Sequence, residues 1–198
     1  DQPLQIVSDA YLGLARLHYE WNDLDAAQKY GEQSLHLARQ YDTVIDRFIV
    51  CELFLARLKL ARGDVAGADQ IVAGASHTVR QNNFVHRVPE VAASQVLILI
   101  RHNRHAEALD IARKHALPLS EALVELAQGD ALTALSLLNV IDEQAQVGHW
   151  ADEHLNLTVL LAMAFYLQGE TDLALQRLSG ALALAEPEPL TLANLMTK

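Results

Sequence analysis

Asn22-Asp23-Leu24-Asp25-Ala26-Ala27 returns four more times along the chain, and its return decides the fold. The copies are Gly63-Asp64-Val65-Ala66-Gly67-Ala68, Asn103-Arg104-His105-Ala106-Glu107-Ala108, Gly129-Asp130-Ala131-Leu132-Thr133-Ala134 and Gly169-Glu170-Thr171-Asp172-Leu173-Ala174. Each follows an apolar run and opens an amphipathic one, as in chains built from repeated helical hairpins. Gly or Asn at the first position can take the left-handed conformation that ends a helix, and Asp64 or Asp130 beside it can cap the first amides of the next. The closing alanine falls about one turn into the second helix, where a small side chain lets the two helices approach closely.

The closing alanines stand 41, 40, 26 and 40 residues apart. A tetratricopeptide repeat has a period of about 34, so most intervals here carry extra residues in helices or linkers. The short interval makes the fourth pair compact, with Pro118 opening a first helix of two to three turns that ends at Gln128. The spacing predicts ten helices over roughly 4–20, 24–40, 43–62, 65–81, 88–102, 105–115, 119–128, 131–147, 151–168 and 171–185. The expected fold is an all-α, right-handed superhelical solenoid of about five antiparallel helix pairs, occupying residues 1–185 as one repeat domain. Glu186-Pro187-Glu188-Pro189 breaks the last helix, and Leu190, Leu192, Leu195 and Met196 in the 186–198 tail can form one more amphipathic turn, expected to cover the end of the stack.

Composition agrees with helix-on-helix packing: 51% hydrophobic residues in 198, with nine Gly and five Pro. A formal net charge of −10 repels phosphate backbones, so no direct nucleic-acid contact is expected. The most apolar segment, Leu157 to Leu167, has eleven residues, short of the roughly 20 that cross a bilayer. No basic start, apolar stretch and small-residue cleavage site combine near Asp1, which looks like a cut point, and the lone Cys51 cannot make an internal disulfide. The reading is a reduced, cytoplasmic setting without membrane contact. The end helices keep apolar residues where terminal repeats usually turn polar: Leu4, Ile6, Val7, Leu12, Leu14 and Leu17 at one end, Leu173, Leu175, Leu178, Leu182 and Leu184 at the other. A longer array, or ends that pair with another copy, is expected.

The run from Tyr11 through Glu20-Trp21-Asn22-Asp23-Leu24 to Ala27 resembles the opening sensor repeat of MalT-type, LuxR-family, ATP-dependent transcriptional activators. Tyr166-Leu167-Gln168-Gly169 with Ala181-Leu182-Ala183-Leu184-Ala185-Glu186-Pro187-Glu188 is similar to the last repeats of that region. The resemblance implies a bacterial cytoplasmic regulator with a nucleotide-binding module, a winged-helix connector, this superhelical sensor and a helix-turn-helix. No Gly-x-x-x-x-Gly-Lys-Ser/Thr loop and no basic recognition helix occur here. ATP is therefore implied only for the absent N-terminal domain, and no cofactor is expected for this part. After Glu188, Pro189-Leu190-Thr191-Leu192 departs from the family pattern.

In such an array the first helix of each pair lines the inner wall. Aligning the turns puts Asp9, Leu12, Arg16, Tyr19 and Glu20 there from the first repeat, Leu53, Arg57 and Leu60 from the second, and Leu97, Ile100 and Arg101 from the third. The fourth adds Leu119, Leu123 and Leu126, the fifth Asn156, Val159, Met163 and Tyr166. The expected groove for a ligand or partner is marked by Arg16, Tyr19, Glu20, Arg57, Arg101, Met163 and Tyr166. Guanidinium groups can grip carboxylate or phosphate through paired hydrogen bonds, and tyrosines can stack on a ring. The alternative is that these arginines pair with acids such as Glu20 and Glu52 on a solvated face.

Other chemistry is poorly supported. His102 and His105 straddle a turn, and His149 and His154 lie five apart, so neither offers the spacing of a helical zinc site. Cys51 sits in an apolar run without a positioned base, and no serine has a nucleophile-elbow context, so no enzyme activity is expected. Trp21 and Trp150 are expected in the core, and would be contact residues if exposed. The leading function is effector sensing and protein interaction within the regulator, with a small-molecule inducer or regulatory protein as partner and self-association open. The alternatives are a peptide-binding scaffold of an unrelated cytosolic protein, or a structural dimerisation stack.

Overall fold

The computed structural model describes residues 2–41, 46–145 and 151–185. The expected tail helix, Trp150 and His149 lie outside the described residues. Among those described there are ten α-helices and no strand: α1 (Gln2–Glu20), α2 (Leu24–Tyr41), α3 (Arg47–Ala61), α4 (Val65–Gln81), α5 (Val88–Arg101), α6 (His105–Lys114), α7 (Pro118–Gln128), α8 (Ala131–Ala145), α9 (Ala151–Leu167) and α10 (Thr171–Ala185). A single 3-10 turn, Val85–Arg87, precedes α5.

The five repeated turns are built alike. Asn22, Gly63, Asn103, Gly129 and Gly169 all have positive φ, between 56° and 85°. At each, the turn residue's N–H reaches back three residues and the next N–H reaches back five. In the second copy Gly63 donates to the Leu60 carbonyl at 3.1 Å and Asp64 to Lys59 at 2.9 Å. That pair of bonds satisfies carbonyls a helix end otherwise leaves free. The following helix is then capped where the sequence allows: Asp23, Asp64 and Asp130 accept from the amides of Ala26, Gly67 and Thr133. Arg104 caps nothing with its side chain. Ala27, Ala68, Ala108, Ala134 and Ala174 are all buried, as close approach within each pair requires.

Two details differ from the sequence reading. Among the described residues α3 starts at Arg47, with Asp46 a buried turn residue before it, whereas the spacing predicted a helix running through 46; the predicted stretch 43–45 lies outside the described residues. Asn83 and Ala116 also have positive φ, 55° and 51°, so the joints after the second and third pairs use left-handed residues too.

The helices gather in two compact units, Asp1–Leu117 and Pro118–Lys198. In the first, α1 packs on α2, α3 on α4 and α5 on α6, while α2 meets α3 and α4 meets α5. Ala15, Ala27, Phe54 and Leu58 form one core patch, and Ile49, Leu53, Val72, Val79, Val91 and Ile98 belong to another. In the second unit α7 pairs with α8 and α9 with α10, and α8 meets α9. Leu126, Leu138, Leu157 and Leu161 pack between them.

Candidate functional site

First-helix faces hold most of the expected groove residues, in a common register. Six residues before the left-handed turn residue stand Arg16, Arg57, Leu97, Leu123 and Met163; two before it stand Glu20, Ala61, Arg101, Ala127 and Leu167. Positions four apart share one side of a helix. α3 shows why this side is the open one. Hemmed in by α2, α4 and α5, it buries Ile49, Cys51, Leu53, Phe54, Ala56 and Leu58 and leaves Arg57 and Ala61 exposed.

In the first unit Arg16 and Glu20 are exposed one turn apart on α1, Arg57 is exposed on α3, and Arg101 is exposed at the end of α5. Their neighbours are paired with acids. Arg39 donates to Glu52 at 2.6 Å, Arg62 to Asp25 at 2.6 Å, and Arg47 lies 3.1 Å from Asp9. Arg104 grips Glu107, raising its own pKa and lowering that of the glutamate. Among the described residues Arg16, Arg57 and Arg101 have no ion-pair partner. Glu52, considered as their partner from sequence, belongs to Arg39 instead.

Tyr19 is partly buried, its ring edge-on to Phe54 at 6.0 Å, so it supports the α1–α3 contact as well as the open face. Met163 and Tyr166 belong to the second unit, where with Val159 and Leu167 they make an exposed apolar stripe on α9. Leu53 and Leu126, expected on the inner wall, are core residues: ten and three residues before the turn, they point into their packed neighbours. Trp21, expected in the core, is exposed, its ring T-shaped to that of His18 at 5.5 Å.

One feature was missed from sequence. A groove of about 810 Å³ runs between α1 and α2, with Val7, Tyr11, Asp25, Lys29, Glu32 and His36 on its walls. Tyr11, Tyr30 and His18 stack beside it. The signal for it lay in α2, whose polar residues 25, 29, 32 and 36 recur at helical spacing opposite its alanines. On α1 it is lined by Val7 and Tyr11, about 180° and about 140° around the helix from Arg16, so it is separate from the arginine face.

Asp46 is the most heavily engaged acid. Buried at the start of α3, it accepts from Arg87 and also meets His86 Nε2, and Arg87 further donates to Glu90 at 2.7 Å. Burial alone would raise its pKa, but the Arg87 hydrogen bond and the charges of Arg87 and His86 outweigh that and hold it below the usual carboxylate range. Cys51 is buried, 3.2 Å from Ser34 Oγ, which is itself bonded to Ser8. Burial pushes the thiol pKa up, against the pull of the Ser34 hydrogen bond. Among the described residues no group of three or more His, Cys, Asp or Glu is placed to hold a metal, and no helix is long and apolar enough to cross a membrane.

A family model described as the MalT-like TPR region matches residues 1–189. No curated protein matches the chain. Among solved structures, the nearly identical TPR-like repeats of a kinesin light chain from Podosopora anserina are 18% identical, covering 92% of this chain and 97% of that one, with a TM-score of 0.51. BtubC (BKLC) from P. vanneervenii is 16% identical, covering 95% of this chain and 85% of that one, with a TM-score of 0.52. At such identities the likeness is one of fold, an all-α array of TPR-like repeats.

Proposed function

Because this chain belongs to the MalT-like TPR family, we propose that it is the effector-sensing and protein-interaction domain of a bacterial MalT-type, LuxR-family transcriptional regulator, working in the cytoplasm. The observation that carries the reading is the set of exposed first-helix arginines, Arg16, Arg57 and Arg101, which have no ion-pair partner among the described residues while neighbouring arginines do. An exposed guanidinium has little to lose in desolvation and can take a carboxylate or phosphate in a two-pronged grip. The partner is an acid-bearing inducer or an acidic segment of a regulatory protein.

Coupling follows from the packing. α3 touches α2, α4 and α5, so a ligand held by Arg57 together with Arg16 or Arg101 favours one packing of the three pairs over another. Only such differential affinity moves a switch. In the proposed regulator the switch is read by attached ATPase and DNA-binding domains. The full reading frame tests this: a phosphate-binding loop upstream and a helix-turn-helix downstream are expected, and their absence would turn the reading to a peptide-binding scaffold.

A further inference from the structure

Three positions stand together on the open side of the first helices in the first unit: six, three and two before the left-handed turn residue. On α3 they are Arg57, Leu60 and Ala61; on α5, Leu97, Ile100 and Arg101. Residues three and four apart share one side of a helix, so each set makes a small triangle. Each triangle holds one exposed guanidinium, with Leu60 or Ile100 half-buried at its apolar corner. The side is open by construction rather than for want of a neighbour. α3 already carries α2, α4 and α5 against its other faces, and Arg57 and Ala61 stay exposed.

α1 repeats the pattern with Tyr19 at the apolar corner, but there Glu20 stands one turn from Arg16 and offsets its charge. Neither Arg57 nor Arg101 shares its triangle with an acid. The two strong anion seats are therefore on α3 and α5.

What lies between those seats is apolar. Leu60 packs against the core patch that α3 shares with Val91 and Ile98 of α5, which puts it on the α5 side of Arg57. Leu97, half-buried, stands one turn from Arg101. Packed helices lie about 8–10 Å apart, and Arg101 is four residues nearer its turn than Arg57, which for parallel first helices puts the two Cα atoms about 11 Å apart. An extended chain advances about 3.3 Å per residue, so carboxylates three or four residues apart fall at that spacing.

An exposed ion pair by itself contributes little, so the two grips count most when one molecule makes both and adds apolar contact between them. A small ligand is held by a cavity that covers most of it, and the groove of about 810 Å³ lies on the other side of α1, along Val7 and Tyr11. Charge points the same way. The chain carries a formal net charge of −10, so an acidic segment is repelled over most of the surface and drawn to the side where guanidinium groups have no ion-pair partner among the described residues.

We propose that the α3–α5 wall docks an extended acidic segment of a protein partner, with two carboxylates three or four residues apart on Arg57 and Arg101 and an apolar side chain between them on Leu60 and Leu97. The segment is the acid-bearing partner of the arginine face proposed above, so it stands only if that face is the binding surface.

Fluorescence anisotropy with a labelled nine-residue peptide tests it, the peptide carrying two glutamates three residues apart, one leucine between them, and glycine and serine elsewhere. Saturable binding to the wild-type chain is expected. Arg57→Ala and Arg101→Ala are each expected to weaken it about tenfold, and Arg16→Ala by about twofold or less. Changing both glutamates of the peptide to glutamine is expected to abolish binding. Arg57→Glu is expected to reject the peptide and to accept one in which a glutamate is replaced by lysine. The three arginines are exposed, so melting temperatures are expected to match wild type. A peptide that does not bind the wild type, or that binds Arg57→Ala and Arg101→Ala equally well, overturns the proposal. Tighter binding of succinate than of the peptide, lost in the same variants, overturns the segment alone and leaves the arginine face as a small-ligand site.

Discussion

Gly31 of α2 sits hard against Phe54 of α3: a Cβ on it would lie 3.1 Å from the Phe54 ring and 3.0 Å from Leu55. The α2–α3 joint is therefore full at this point. Gly31→Leu is expected to force the two helices apart and lower the unfolding free energy by about 1–3 kcal/mol, read by urea denaturation. Gly74→Ala is the control. A Cβ there meets nothing within 4 Å, and replacing a mid-helix glycine is expected to add about 0.5–1 kcal/mol.

The left-handed turns give a second expectation. Gly129 holds a φ of 85° between α7 and α8, a conformation that costs an L-residue about 1–2 kcal/mol. Gly129→Ala is expected to lose that much stability in thermal or urea melts, although no neighbour obstructs the new methyl group. An unchanged midpoint would mean that the turn relaxes.

Asp46 ties the start of α3 to the connection between α4 and α5 through Arg87 and His86. Its pKa is lowered in the folded chain, so its contribution is complete above the unfolded carboxylate value of about 3.9 and is lost as pH falls through the folded value. Asp46→Asn leaves Arg87 partly buried and short of one acid, costing on the order of 3 kcal/mol near neutral pH. The gap between wild type and variant is expected to be full above about pH 5 and to narrow as the pH falls below the unfolded carboxylate value of about 3.9, as measured by urea melts across that range.

Much of this fold was legible because its turns reuse one piece of chemistry. A Gly or Asn that can go left-handed, followed by an alanine one turn on, marks each hairpin without any knowledge of distant contacts. The tie at the N-terminal end of α3 was not legible, since Asp46 meets Arg87, 41 residues away. Ala116 was missed for another reason: an alanine gives no hint of positive φ, and only its place at the end of α6 imposes it. At the candidate site the register of Arg16 and Arg57 was readable from turn spacing, whereas the burial of Leu53 and Leu126 was not. A first helix has two neighbours beyond its own partner, and periodicity alone does not say how wide its buried arc is. Trp21 misled because a large indole is usually core, and its exposure follows from the open α1 face.

Cys51 offers a simple probe of packing in the first unit. Buried beside Ser34 and with its pKa raised, it holds little thiolate at neutral pH. A thiol reagent is expected to leave it unmodified in the folded chain at pH 8 and to modify it at the rate of a free peptide thiol in denaturant. Fast reaction in the folded state would show that α1 to α3 open readily.

The most direct measurement is calorimetric titration of the chain, and of the Arg16→Ala/Arg57→Ala/Arg101→Ala variant, with one panel of sugar phosphates, dicarboxylates and acidic amphipathic peptides. At least one acid-bearing member is expected to bind the wild type and to bind the variant at least tenfold more weakly, about 1.4 kcal/mol or more, at an unchanged melting temperature. Equal binding by both proteins, or no heat from any member of the panel, would contradict the account.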